Sequence, residues 1–216
     1  MSGIHDLALF IAAGLLLNVT PGPDMAYIAA RSVAGGFRDG AAAAFGITAG
    51  CVVHTVAAAA GLSALLATSG AAFAIVKWCG AAYLLYAGIR LIARARTAGR
   101  ETSPHRVLPP APPSRILREA FVINVFNPKV ALFFLAFLPQ FVDPSRGRPW
   151  VQILVLGLLF SALGFLSDTS WALVAGTLGE RLRRSTRFPA IQRYVSGTVF
   201  LGLGAVAAFT APVKQS

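Results

Sequence analysis

The sequence predicts an all-α membrane protein of six transmembrane segments, arranged as two inverted three-helix repeats whose first helices are broken by proline. Three observations point there. Hydrophobic residues fill 56% of the 216 positions and charged residues only 12%, about half the charge of an ordinary soluble domain. Several apolar runs approach the roughly 20 residues that a helix needs to cross a hydrocarbon core. Two of these runs are interrupted in the same manner, by Asn18-Val-Thr-Pro-Gly-Pro-Asp24 and by Asn124-Val-Phe-Asn-Pro-Lys129.

The first segment runs from Ile4 to Arg31 and is broken at Pro21-Gly22-Pro23. Its opening run, Leu7 to Val19, lacks a basic n-region and a small-x-small cleavage site, so it reads as retained rather than as a signal peptide. A second segment spans Gly40 to Ala67 and a third Ala71 to Ile92. Residues 94–116 hold clustered arginines and the stretch Ser-Pro-His-Arg-Val-Leu-Pro-Pro-Ala-Pro-Pro-Ser, whose prolines favour extended, unpaired backbone. The chain thus divides into a first repeat at 1–93, a cytoplasmic linker at 94–116 and a second repeat at 117–216. In the second repeat, Leu117 to Val142 is broken at Asn127-Pro128, and further segments run from Trp150 to Leu178 and from Tyr194 to Ala211.

A net charge of +11 would suggest nucleic acid in a soluble domain. Here the basic residues fall between apolar runs, which points to anionic lipid headgroups and excludes nucleic acid. Fourteen of them, at 31, 38, 90 to 118 and 181 to 193, lie on one side; only Lys77, Arg146, Arg148 and Lys214 lie on the other. The positive-inside rule then places the linker in the cytoplasm and both termini outside. Three spans per half is an odd number, so similar halves cross in opposite senses, and paired breaks mark the binding site of such inverted repeats.

Pro removes a backbone donor and clashes with the preceding turn. The freed groups cannot face lipid, so each break belongs inside the bundle. Gly22-Pro23-Asp24 and Asn127-Pro128-Lys129 both read as a cap residue, a proline at the first helical position and a charge. A carboxylate suits a helix N-terminus and a lysine does not. Lys129 should therefore have an anionic partner: Asp24, Asp168 or a substrate carboxylate.

Asn18 and Asn124 precede the breaks and could hold freed carbonyls or substrate. Gly157, Ser161, Gly164, Asp168, Trp171 and Ala175 share one helical face, which would bury Asp168 as a proton carrier or cation partner. Gly46, Gly50, His54, Ala57 and Gly61 form a comparable stripe. His54 could exchange protons near neutral pH or simply hydrogen-bond a neighbouring helix. The candidate binding residues are thus Asn18, Pro21, Gly22, Pro23, Asp24, Asn124, Asn127, Pro128 and Lys129, and the candidate proton-coupling residues Asp24, Asp168 and His54. No Cys-x-x-Cys, His-Glu-x-x-His or Gly-Lys-Ser motif is present, so neither a cofactor nor a metal is expected, and Cys51 and Cys79 read as free thiols.

Taken together, these motifs resemble the lysine exporter and homoserine/threonine exporter (LysE/RhtB) family. The resemblance covers nearly the whole chain: Asn18 to Asp24, the Gly35-Gly-Phe-Arg-Asp-Gly40 turn, Gly46 to His54, Gly80-Ala-Ala-Tyr-Leu-Leu-Tyr86, Asn124 to Lys129, Asp168 and Ser196 to Gly204. It implies a secondary transporter of the bacterial inner membrane, exporting small amino acids or derivatives under a proton gradient. The expected mechanism is alternating access, with protons, a small amino acid and membrane lipids as partners; a homodimer is compatible. Two other readings compete: an intramembrane thiol oxidoreductase, which needs paired thiols at the breaks, and a metal-ion exporter, which needs a Cys or His cluster.

Overall fold

A computed structural model of the chain describes residues 3–68, 70–97, 108–184 and 188–209. Expectations placed on residues 98–107, on the Arg181 to Arg187 run, on the Lys77 side chain and on Lys214 fall outside this part. The described residues form seven α-helices: α1 (Leu7–Asn18), α2 (Pro23–Thr68), α3 (Gly70–Thr97), α4 (Pro113–Val125), α5 (Pro128–Leu132), α6 (Pro149–Arg184) and α7 (Phe188–Phe209). The isolated bridge between Ile4 and Val142 is their one β-type contact.

Proline sets most helix starts. It opens α2, α4, α5 and α6, where its missing N–H costs nothing because the first turn has no intrahelical acceptor. The same residue ends what precedes it. Asn127, before Pro128, is extended at φ −78, ψ 110, because the proline ring disfavours α geometry there. The chain bends by 43° between α4 and the helical stretch that follows. Beyond Leu132 that stretch continues as a π turn (Phe133–Phe137) and a 3-10 turn (Leu138–Phe141).

α2 departs from expectation. Its 46 residues would reach about 69 Å if straight, twice the depth of a hydrocarbon core. Instead it folds back on itself at Gly35–Gly36, where Gly36 takes φ 74, a left-handed value that glycine adopts without steric penalty. The contacts with α4 show the reversal. Arg31 reaches Glu119 and Asp24 reaches Asn124, so the first limb runs antiparallel to α4. Gly46 abuts Leu117, and His54 meets the Asn124 carbonyl, so the second limb runs parallel to it. The expected six-residue turn from Gly35 to Gly40 is thus a two-glycine corner, and the second helix resumes at Phe37 rather than Gly40.

The second limb of α2 packs along α4, where Gly46 and Gly50 meet Leu117 and Asn124, and along α6, where Gly40 meets Ala172 and Thr55 meets Gly157; α3 packs along α7. Small residues permit this closeness. A Cβ on Gly88 would lie 2.8 Å from the Gly197 carbonyl, and one on Gly197 2.8 Å from the Gly88 carbonyl, so these backbones touch. By length and composition, Pro23–Leu62, which contains the Gly35–Gly36 corner, and Pro149–Thr177 are long and apolar enough to cross a membrane, as is the bent pair formed by Pro113–Val125 and Pro128–Phe141 if counted as one span. Leu7–Asn18, Trp78–Ala93 and Arg193–Ala208 are shorter apolar helices.

The two ends of the bundle are built differently. At one, Phe10, Phe133, Phe137, Phe141 and Phe160 interlock, with ring centroids between 4.4 and 5.8 Å apart. Above them the N-terminus is tied to the start of α6: Asp143 N–H donates to the Gly3 carbonyl at 2.9 Å, and the Gln152 side chain brackets the Asp143 backbone. The Ser145 hydroxyl and amide donate to the Asp143 carboxyl and hold it below its ordinary range. At the other end Arg31, Pro109 and Glu119 converge.

Candidate functional site

Both breaks meet inside the bundle, and each holds the charge carried by the other. Asp24, in the first turn of α2, accepts from Asn124 Nδ2 at 3.1 Å and from Asn127 Nδ2 at 2.7 Å through its Oδ2. Asn127 also caps α5, its Oδ1 accepting from Lys129 N–H at 3.0 Å. Lys129 Nζ reaches in the other direction and donates to the carbonyls of Leu17 at 3.2 Å and Thr20 at 3.0 Å.

Lys129 therefore lacks the direct anionic partner that the sequence leads one to expect. Among the described residues no carboxylate lies within ion-pair distance of it. The carbonyl end of α1 takes that place, because the last carbonyls of a helix have no intrahelical donor and carry the negative end of its dipole. Asp24 and Asp168 still act on the amine through space.

A narrow, partly enclosed cavity sits beside these groups. Asn18, Asp24, Asn124, Lys129 and Asp168 form its polar wall, Thr48, Cys51 and Ser161 add weaker polar groups, and Met25, Ile47, Val130, Phe160, Gly164 and Phe165 complete it. Its volume of about 20 Å³ leaves room for little more than one water. Asp24, Lys129 and Asp168 are 5%, 6% and 7% exposed. Three polar atoms of the wall have no protein partner: Asn18 Nδ2, Asp24 Oδ1 and Asn124 Oδ1. Buried polar atoms without partners are uncommon. Among the described residues no hydrogen bond reaches the Asp168 carboxyl, which interacts through space with Asp24 and Lys129.

The structure brings Asn18, Asp24, Asn124, Lys129 and Asp168 together at one cavity. The remaining candidates stand behind it. Asn127 orients Asp24 and Lys129, and Pro21 accepts from Ser196 Oγ at 2.9 Å. Gly22 lies against the Lys129 side chain, where a Cβ would sit 3.4 Å from Nζ. His54 is outside the wall; its Nε2 pairs with the Asn124 carbonyl at 3.1 Å and its ring stacks on Phe134. Cys51 is buried beside the Ser161 hydroxyl, 3.2 Å away, whereas Cys79 is exposed on α3. Among the described residues no group of three His, Cys, Asp or Glu side chains is placed to hold a metal ion.

Sequence reasoning missed the cluster of Tyr27, Glu119 and the buried Arg31. Its signal was the offset of 27 and 31 from 24, which puts all three on one helix face.

Comparison with known proteins places the chain among membrane transporters rather than enzymes. The model of the LysE type translocator family matches residues 15–210, and the chain belongs to that family. An uncharacterized membrane protein of Vibrio cholerae is 31% identical over 93% of this chain and 95% of its own. A homoserine/homoserine lactone efflux protein of Salmonella typhi is 29% identical (92% and 94% covered), and a leucine efflux protein of Klebsiella pneumoniae is 26% identical (94% and 94% covered). No solved structure matches the chain.

Proposed function

We propose that the protein exports small amino acids or close derivatives across the bacterial inner membrane, coupled to protons, by alternating access around the cavity between the breaks. One observation carries this reading: the cavity wall presents an unpaired amide donor, two unpaired acceptors and a buried amine. The backbone end of an amino acid matches that set. Its carboxylate would lie against Lys129 and Asn18 Nδ2, and its ammonium group against Asp24 Oδ1 and Asn124 Oδ1. Relatives named for efflux of homoserine and of leucine share that end and differ in side chain.

Two carboxylates and one amine line the wall, so a zwitterion leaves one negative charge without a partner. A proton on Asp168, whose carboxyl has no hydrogen bond among the described residues, would balance it. The cavity is too small for an amino acid in this state, so loading requires the surrounding helices to part.

The packing supports two inverted repeats, 1–93 and 117–216, joined by a cytoplasmic linker. α2 meets α6 and α3 meets α7, so equivalent elements face each other, while α1 against α6 mirrors α4 against α2. A two-fold axis in the membrane plane produces that pattern. With α2 folded at Gly36, six crossings follow: α1 with the first limb of α2, the second limb, α3, α4 with α5, α6 and α7. The N-terminal residues share an end with Asp143 to Gln152, opposite Arg31 and Pro109, which agrees with outward termini.

The test is counterflow in proteoliposomes with a panel of labelled amino acids, comparing wild type with Asp24→Asn and Lys129→Ala. Exchange of one or more amino acids, lost in both variants, is expected. Equal exchange in all three proteins would exclude the site.

A further inference from the structure

Arg31 lies seven residues, about 10 Å of helix, beyond Asp24 on the same face of α2. It is 3% exposed, and its guanidinium donates to Tyr27 Oη at 3.0 Å, to the Pro109 carbonyl at 3.0 Å and to Glu119 Oε2 at 2.7 Å. Tyr27 donates to that same Glu119 oxygen at 2.7 Å, and Arg115 donates to the other at 2.8 Å. The cluster thus joins the first limb of α2 to α4, 88 residues apart in sequence, and to the linker's end. Beneath it Ile28, Ile47, Ile116, Ala120 and Ala172 form an apolar layer, and Ile47 also lines the cavity.

Geometry and chemistry suit a contact that forms and parts. Leaving a buried arginine without its carboxylate is costly, so the closed arrangement is favoured. The Glu119 side chain, though, is already 32% exposed and rehydrates readily on separation. The opposite end has interlocked phenyl rings instead. The geometry points to Tyr27, Arg31 and Glu119, with the Pro109 carbonyl, as a latch that keeps the cavity closed on the linker side and whose release opens it to the cytoplasm. The latch serves the transport cycle proposed above, but its operation is measurable without any substrate.

Cys51 provides the reporter, since it lines the cavity. In a Cys79→Ala background, membrane-impermeant maleimide is applied to inside-out and right-side-out vesicles, and the rate of Cys51 labelling is read by mass spectrometry. Glu119→Gln should raise labelling about tenfold from the cytoplasmic face, the scale expected for losing a charge-assisted hydrogen bond, with less than about twofold change from the other face. Tyr27→Phe, which removes one oxygen, should raise it about threefold and serves if Glu119→Gln does not fold. Unchanged labelling in a folded variant, or an equal rise from both faces, overturns the latch. If no amino acid exchanges in counterflow yet labelling rises from one face, the latch stands and the substrate reading falls.

Discussion

At the second break, two asparagine side chains hold Asp24; at the first, two main-chain carbonyls hold Lys129. Helix direction explains the difference. Asp24 and Lys129 each follow a proline that opens a helix, where free N–H groups already favour an anion. Asp24 needs only two more donors, and side-chain amides supply them. Lys129 is misplaced at its own helix start, so its long side chain crosses to the carbonyl end of α1. One clasp is therefore written in residue identity and the other in backbone geometry, and they should answer differently to mutation.

The largest effect is expected at Lys129. Lys129→Met removes the only charge that the first break holds, and counterflow should fall about 100-fold, corresponding to roughly 2–3 kcal/mol of lost charge-assisted bonding. Retained exchange would break the comparison, because the carbonyl clasp would then hold nothing needed. Asp168→Asn should separate coupling from binding: amino-acid counterflow stays within about threefold of wild type, while accumulation driven by an imposed pH gradient is lost. Equal loss of both would make Asp168 a binding group instead.

Smaller effects test the clasps themselves. Asn127→Ala removes both a donor to Asp24 and the cap of α5, and should destabilise the protein by about 1–2 kcal/mol in thermal unfolding in detergent. Thr20→Val is the matched change at the first break. The Thr20 hydroxyl bonds only to the Leu16 carbonyl, and its own carbonyl is retained, so the change should stay within about 1 kcal/mol with counterflow unaltered. If Thr20→Val were the more damaging of the two, the distinction between side-chain and backbone clasps would be wrong.

Much of this site could be read from residue types. Pro-Gly-Pro-Asp and Asn-Pro-Lys announce where helices break, and an aspartate on a small-residue face announces its own burial. The partner of Lys129 could not be read, because any residue supplies a carbonyl and only the fold decides which carbonyls are free. The partners of Arg31 could not be read for a related reason. An arginine near the end of an apolar run counts toward orientation, and its pairing with Glu119 depends on how α2 and α4 dock. The Gly35-Gly36 corner was visible as a turn, but two glycines reverse the chain in fewer residues than a polar loop would need.

The cramped chamber between the breaks has one further consequence. Protons cross hydrophobic barriers along unbroken files of hydrogen-bonded water, and space for about a single molecule cannot hold such a file. In the cycle proposed above, this arrangement would keep two carboxylates deep in the bundle without giving protons a path past them.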